Sequence, residues 1–309
     1  MSKTCLSRAP FYSCFLLAFA LASAPRPASA QSFELVGVRA QGMGGAYVAV
    51  ADDATATWWN PAGLATGAYF SALVEYDRPR TPQDASIKGL AIGFPSLGLS
   101  YYRLPINQMR VAGSTGTDAE SREEQGDLSV YGVTVGQSLG DRLVVGSTLK
   151  LVRAGQTHGD LDMGAMARFG AGRIGLVVKN IRKPSFDTVS GPLELKRLAR
   201  AGAALIGTTN GLVNQIALAI DADLTRVVTR VGDERRVAAG VDVVAWNKKI
   251  GLRGGAGTNT IGERLTSYSG GATIILVAGG YLGTYVDAQI TGGSDEARRG
   301  WGIGLRLTF

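Results

Sequence analysis

Apolar residues alternate with polar or small residues along most of this chain, and this pattern limits the possible folds more than any other feature. The alternation begins near residue 67 and continues to the C-terminus in stretches of about ten residues. In the last stretch, one parity carries Trp301, Ile303, Leu305, Leu307 and Phe309. Successive side chains of a β-strand point to opposite faces, so each stretch predicts a strand with one apolar face.

Fourteen such stretches can be counted. They span 67–78, 87–94, 97–104, 127–138, 142–153, 161–170, 173–181, 195–206, 213–224, 234–246, 249–256, 266–277, 280–290 and 300–309. Connections after the odd-numbered stretches are longer, among them 154–160, and most connections after the even-numbered stretches are tight. This pattern is typical of an outer-membrane β-barrel, because a sheet in hydrocarbon must close on itself to pair its backbone groups. A soluble all-β sandwich also alternates, but it leaves the even count and the connection lengths unexplained.

The first thirty residues predict an export signal that is removed from the mature protein. Lys3 and Arg8 form a basic start, residues 11–24 are apolar, and residues 28–30 offer a small-x-small cleavage site. The formal net charge of the whole chain is +7 and falls when the basic signal is removed. So small a charge does not indicate nucleic acid as a partner.

Residues 31–66, between the signal and the first strand, do not alternate. They are rich in residues that start, bend or end short helices. Asp52 or Asp53 is a candidate helix N-cap, and Asn60 with Pro61 should end that helix. The expected domains are therefore a signal peptide at 1–30, an N-terminal segment at 31–66 and a barrel at 67–309.

Three runs in this segment resemble the start of FadL-type transporters and of the related PorV/PorQ-type barrels. They are Gly42-Met43-Gly44-Gly45-Ala46, Val48-Ala49-Val50-Ala51-Asp52-Asp53 and Trp59-Asn60-Pro61-Ala62-Gly63-Leu64. A weaker likeness to the PorV/PorQ-type group continues at residues 175–180. The resemblance implies a transmembrane antiparallel barrel of about 14 strands whose lumen holds residues 31–66 as a small helical hatch or plug. The implied plug motif comprises Gly42, Met43, Gly44, Gly45, Asp52, Asp53, Trp58, Asn60, Pro61 and Gly63. The segment either only plugs and orders the barrel or also touches a passing ligand.

If the apolar parity faces lipid, the charged residues of the strands face the lumen. This predicts inward side chains at Glu75, Lys88, Lys150, Asp162, Arg168, Lys179, Asp221, Asp223, Arg236, Asp242, Lys249, Arg253, Asp287 and Arg306. Charges of both signs are tolerable there, whereas charges facing lipid are not. The set predicts either a salt-bridge network that fixes the hatch and the strand register, or a selectivity path for ionic solutes. The second interpretation requires an open pore, which a plug would close.

The C-terminal residue, Phe309, is aromatic and ends an alternating strand. It resembles the signature that outer-membrane barrels present to the bacterial barrel-assembly machinery. That resemblance implies the assembly machinery as a partner and the outer membrane of a bacterial cell as the location. The alternative is a packed strand end without a signalling role.

The sequence gives little support to an enzyme. Residues 170–175 match G-x-G-x-x-G, but a predicted strand follows them instead of the helix whose N-terminus would bind phosphate. Asp221 and Asp223 lie on one predicted strand without a calcium-binding loop. His158, the only histidine, falls in a predicted external loop, and both cysteines fall in the signal. We therefore expect no enzymatic activity, no cofactor and no bound metal.

Two functions remain after these exclusions. The resemblance to FadL-type proteins implies passive transport of hydrophobic small molecules, with loops 105–126 and 182–194 supplying apolar side chains to an external groove. The resemblance to PorV/PorQ-type proteins implies a structural or secretion-associated barrel that binds a surface protein. Both functions imply outer-membrane lipid as the surroundings, and the transported substrate is not specified.

Overall fold

The structure is a computed structural model that describes residues 36–80, 86–105, 127–188, 191–229, 232–279 and 282–309. The predicted signal peptide, the first five residues of the predicted hatch and nearly all of loop 105–126 lie outside the described residues. The boundaries predicted for the domains therefore stay predictions.

Fourteen antiparallel strands close into a barrel, as the alternation predicts. They are β1 (Ser71–Pro79), β2 (Ile87–Gly93), β3 (Leu97–Pro105), β4 (Asp127–Leu139), β5 (Leu143–Ala154), β6 (Gln156–Phe169), β7 (Gly172–Lys179), β10 (Leu198–Thr208), β11 (Val213–Asp223), β14 (Arg236–Ala245), β15 (Ile250–Asn259), β16 (Thr266–Gly279), β17 (Leu282–Gly293) and β18 (Gly300–Thr308). Each strand pairs with its neighbours in chain order, and β1 pairs with β18 to close the cylinder. The closed sheet leaves no strand edge unpaired, which is the condition for a sheet in lipid.

Four further strands form two hairpins in the long connections, and the sequence pattern did not predict them. They are β8 (Ser185–Thr188) with β9 (Gly191–Glu194), and β12 (Val227–Thr229) with β13 (Gly232–Glu234). Strands of three or four residues are too short to show a period of two, so the sequence carries no signal for them.

Burial alternates along the barrel strands in the predicted sense. On β11, Ala217 and Asp221 are buried, while Leu218 and Ile220 are 50% and 53% exposed. Half-exposed aliphatic side chains recur around the outside of the barrel. Such a surface suits hydrocarbon and would be costly in water.

The connection between β5 and β6 differs from the prediction of a longer loop at 154–160. Gly155 alone joins the two strands, with a φ of 75°, and Ala154 pairs directly with Gln156. His158 therefore lies in β6 and not in a loop, and its ring packs edge-on against Phe186 at 4.9 Å. The sequence does not alternate around Gly155 because the two strands extend beyond the apolar band of the barrel. Side chains there do not contact lipid, so their polarity is not constrained.

The N-terminal segment contains the short helices that the sequence predicts. They are α1 (Val38–Gly42), α2 (Ala56–Trp59) and the 3-10 helix η1 (Pro61–Thr66); a second 3-10 helix, η2 (Glu296–Arg298), precedes β18. No helix in the described part of the chain is long and apolar enough to cross a membrane. Residues 36–66, called the lumen segment below, are almost entirely buried and contact the inner faces of the strands around the barrel. The segment therefore lies inside the cylinder.

Candidate functional site: the barrel lumen

Two wall carboxylates accept hydrogen bonds from the backbone of the lumen segment. Glu75 on β1 accepts from Gly37 N at 2.9 Å and from Val38 N at 3.1 Å, at the start of α1. Asp221 on β11 accepts from the backbone N–H groups of Tyr47 and Val48, both at 2.8 Å. A buried N–H without a partner costs free energy, so these carboxylates fix the segment at two separate places.

Arg39 on α1 lies at the centre of a buried ion cluster that joins the segment to the wall. Its Nη1 lies 2.7 Å from Asp52 Oδ1 and 3.4 Å from Asp53 Oδ2, and its Nε lies 3.0 Å from Asp242 Oδ2 on β14. Nη1 also donates to the hydroxyl of Tyr47, which in turn donates to Asp53. One guanidinium therefore connects two segment carboxylates with a wall carboxylate.

The pKa of Asp53 reflects this cluster. Burial raises the pKa, but the charge of Arg39 lowers it, and Arg306 and hydrogen bonds from Thr55 and Tyr47 lower it further. The net result is a pKa below the ordinary value for aspartate. Asp53 is therefore held ionised in a site from which water is largely excluded.

The wall continues the cluster with further ion pairs across β15, β17 and β18. Arg253 Nη2 lies 3.0 Å from Asp287 Oδ1, and Arg306 Nε lies 3.2 Å from Asp287 Oδ2. Arg253 Nε lies 3.9 Å from Asp242 Oδ1. Asp242 thus faces Arg39 on one side and Arg253 on the other, and the charges form one connected network.

A second group of ion pairs lies nearer the long connections. Lys150 on β5 lies 2.8 Å from Asp160 and 2.6 Å from Asp162 on β6. Arg200 lies 2.6 Å from Asp223, and Arg236 Nη1 lies 3.8 Å from Asp295. The pairs of Lys150 and Arg200 join neighbouring strands and stabilise their register, whereas Arg236 pairs with the connection that follows β17.

The second half of the segment is held by amide, indole and ammonium groups. Asn60 Nδ2 donates to Val48 O at 2.9 Å and to Ala165 O on β6 at 3.3 Å. Lys179 on β7 donates to Trp58 O at 2.9 Å, and its ammonium lies 3.6 Å from the centre of the Trp58 ring. A cation over an indole face gains further stabilisation when water is excluded.

Glycine allows the backbone of the segment to lie directly against the wall. The inward glycines along its path include Gly146, Gly164, Gly175, Gly202, Gly240 and Gly255. A Cβ atom at Gly146 would collide with the backbone of Pro61, and one at Gly255 would collide with that of Met43 and Gly44. The 43 glycines of the chain are therefore partly explained by close backbone packing inside the barrel.

The predicted plug-motif residues come together in the lumen segment, with one difference at the helix start. The N-cap of α2 is Thr55, without a side-chain cap, and not Asp52 or Asp53. Asp53 Oδ1 instead accepts from Thr55 N at 2.9 Å, and Asp52 pairs with Arg39. Asn60 does end α2, and its side chain accepts from the N–H of Ala62 at the start of η1.

Three of the predicted inward charges take no part in the lumen contacts described above. Lys88 lies on the exposed outer parity of β2, so that prediction is wrong. Lys249 lies in the exposed turn before β15. Arg168 has the inward parity, but it lies near the tight turn and donates to Asp141 O at 3.4 Å. Lys88 and Lys249 stand at strand ends, where the choice between the two parities is weakest.

Sequence reasoning missed Arg39, Asp77 and Asp160, which are central to the lumen. Asp77 has the parity of Glu75 and accepts from Gln41 Nε2 at 2.9 Å, and Asp160 has the parity of Asp162. Asp77 falls inside the predicted stretch 67–78 and was overlooked there, whereas Asp160 was placed in connection 154–160, one residue before the predicted strand. Arg39 lies in a segment without alternation, so its direction could not be read from the sequence.

An open cavity of about 580 Å³ lies beside the β12–β13 hairpin at the end of the barrel with long connections. It is lined by Leu224, Arg226, Asp233, Arg235, Ile261 and Gly262. Its lining mixes two aliphatic side chains with three charged ones. No cluster of side chains suited to hold a metal ion is found among the described residues.

Comparison with solved structures places this architecture among known barrels. The structure of a Pseudomonas aeruginosa FadL homologue aligns with a TM-score of 0.55 at 10% identity, covering 88% of this chain and 97% of that one. The CymD monoaromatic hydrocarbon channel aligns at 0.54 and 13% identity, covering 89% and 97%. The chain has the FadL-type barrel fold.

A further FadL-type barrel, the Ralstonia pickettii toluene transporter TbuX, aligns at 0.50 and 13% identity, covering 89% of this chain and 98% of that one. No protein-family model matches the sequence, and no curated protein matches it. The likeness is therefore one of fold, and function must be argued from the site.

Proposed function

We propose that this protein is an outer-membrane barrel that passes small hydrophobic molecules across the bacterial outer membrane. The observation that carries the proposal is the fold, a fourteen-stranded barrel with an internal N-terminal segment. Structures with this fold include a channel described for monoaromatic hydrocarbons and a transporter described for toluene. The half-exposed aliphatic outer surface supports residence in lipid.

The lumen limits the route that a molecule can take. Residues 36–66 are held by buried ion pairs and hydrogen bonds to several strands, so the segment acts as a plug that closes a straight path. A hydrophobic molecule would also gain little from a lumen lined with charges. Passage along the barrel axis therefore requires that the lumen segment be displaced from the wall.

A structural or secretion-associated barrel is the second candidate, and the density of the buried contacts favours it. Arg39 alone bridges two carboxylates of the segment and one of the wall. A barrel that never opens could use such a network purely for rigidity. In that case the protein would bind a surface protein through its loops and transport nothing.

A disulfide that ties the lumen segment to the barrel wall would distinguish the two functions. The Cβ of Ala54 in the lumen segment lies 3.8 Å from the Cβ position at Gly93 on β2, which is a suitable distance for a disulfide. The nearest obstacle is the flexible end of Leu64. An Ala54→Cys/Gly93→Cys variant should therefore form a bridge in the oxidising periplasm, and reductant should open it.

The assay is uptake of radiolabelled toluene by cells that lack the chromosomal gene and express wild type or variant. We expect wild type to increase uptake, the oxidised double variant to abolish the increase, and reductant to restore it. Each single-cysteine variant is a matched control and should behave as wild type. The same assay is repeated with a labelled fatty acid. If the protein increases the uptake of neither compound, transport is excluded and the structural role is favoured.

A further inference from the structure

Charged side chains on the outer face of the barrel are confined to one side. Among the described residues of the barrel strands, the outward parity carries Arg78, Lys88, Arg103, Asp127 and Arg153. All of them belong to β1–β5. On the described outward positions of β6, β7, β10, β11 and β14–β18, every side chain is uncharged. The outer surface is therefore basic on one side and neutral on the rest.

Strand register places these basic residues in one row of directly paired positions across β2–β5. Lys88 pairs with Arg103, Arg103 pairs with Ser129, and Ser129 pairs with Arg153. Neighbouring strands lie about 4.8 Å apart, so the row from Lys88 to Arg153 is about 14 Å wide. We call Lys88, Arg103 and Arg153 the basic row.

Aromatic side chains below the row indicate its depth in the membrane. Tyr101 and Tyr131 face outward two residues from Arg103 and Ser129, and their rings lie 4.9 Å apart. Tyrosines collect at the boundary between hydrocarbon and headgroups. Arg103, in the middle of the row, therefore lies in the headgroup layer, and the row is at the end with long connections, which in such barrels faces the cell exterior.

Only one cation of the basic row is paired with a carboxylate among the described residues. Arg103 pairs with Asp127, its Nε lying 2.6 Å from the carboxylate. Lys88 and Arg153 form no ion pair with any residue that the structure describes, and both side chains are exposed. Two cations beside an interface of anionic headgroups attract phosphate from the lipid. Arginine can bind a phosphate with two parallel hydrogen bonds, which makes the attraction directional.

The geometry points to a binding site for the phosphate groups of outer-leaflet lipid at Lys88, Arg103 and Arg153. The partner is a phosphorylated glycolipid of the membrane, held by its headgroup against one side of the barrel. This inference rests on the proposed outer-membrane location but not on transport. A barrel that transports nothing could still bind such a lipid.

The test is titration of the purified barrel in nonionic detergent, followed by native mass spectrometry. The probes are lipid A carrying two phosphates, the same lipid without phosphate, and inorganic phosphate. The variant is Lys88→Gln/Arg103→Gln/Arg153→Gln. Each basic residue near an anionic surface contributes roughly fivefold in affinity, so we expect about a hundredfold loss for the phosphorylated lipid.

The matched control removes three exposed charges elsewhere, in Lys248→Gln/Lys249→Gln/Arg264→Gln. Its affinity should stay within about twofold of wild type. The proposal would be refuted if wild type bound the dephosphorylated lipid as tightly as the phosphorylated one. It would also be refuted if the control variant lost as much affinity as the basic-row variant. Displacement of the lipid by millimolar inorganic phosphate would assign the row to free anions and also reject the proposal. Toluene uptake by the same variant should be unchanged, so failure here is distinct from failure of transport.

Discussion

Replacing Arg39 by glutamine should detach the lumen segment from the wall at its most connected point. The guanidinium pairs with Asp52, Asp53 and Asp242, and the last two are only 4% and 3% exposed. Removing one partner of a buried ion pair leaves the other charge uncompensated, at a cost of about 3 to 5 kcal/mol. The glutamine amide can still donate one hydrogen bond, so we expect a loss near the lower end of that range.

The measurement is urea unfolding of the barrel in detergent, followed by tryptophan emission. Trp59 is fully buried in the lumen segment, so release of the segment shifts its emission to longer wavelength. Arg39→Gln/Asp242→Asn should lose less than the two single changes added together, because it removes both members of one pair. Arg226→Gln is the control, since its pair with Asp233 is exposed to water. A wild-type unfolding curve for Arg39→Gln would refute the role given to this cluster.

The stability loss of Arg39→Gln should also depend on pH. In the wild type the pKa of Asp53 is lowered, so its stabilisation is present above the unfolded pKa and is lost as pH falls through the folded one. Without Arg39 burial dominates, and we expect the folded pKa of Asp53 to rise above the unfolded value. Protonation of Asp53 then removes this destabilisation, so the difference in stability between the variant and wild type should shrink as pH falls toward the unfolded pKa of about 3.9. A constant deficit would show that Asp53 does not respond to Arg39.

Three further changes test other parts of the barrel. A variant lacking residues 33–64 should insert and conduct ions in planar bilayers, whereas the intact protein stays silent; continued silence would contradict the plug. Gly255→Val forces a side chain into the backbone of the lumen segment and should lower stability by about 1 to 3 kcal/mol in urea titrations. Gly207→Val, at a position with open space around its Cβ, should change little. Phe309→Ala removes the ring that stacks on Phe70 at 5.0 Å and should reduce the folded fraction in outer-membrane extracts; full assembly would exclude the assembly signal.

The sequence predicted the wall well because lipid enforces its pattern. Each side chain in the apolar band must be acceptable to hydrocarbon or turned away from it, so alternation is strict there. Beyond the band that constraint ends, and the predictions fail at Gly155, His158 and Lys88. The short hairpins also lie beyond the band, where three or four residues carry too little periodicity.

The sequence predicted that charged side chains face the lumen, but it did not predict which residues they contact. Parity gives the direction of Asp221 and Asp242, but their partners depend on how far the segment has turned inside the cylinder. That position is fixed by inward glycines such as Gly146 and Gly255, where backbone packs on backbone. This packing, together with the hydrogen bonds to Glu75 and Asp221, places Arg39 opposite Asp242. A substitution at Gly255 should therefore disturb the ion cluster without removing any charge.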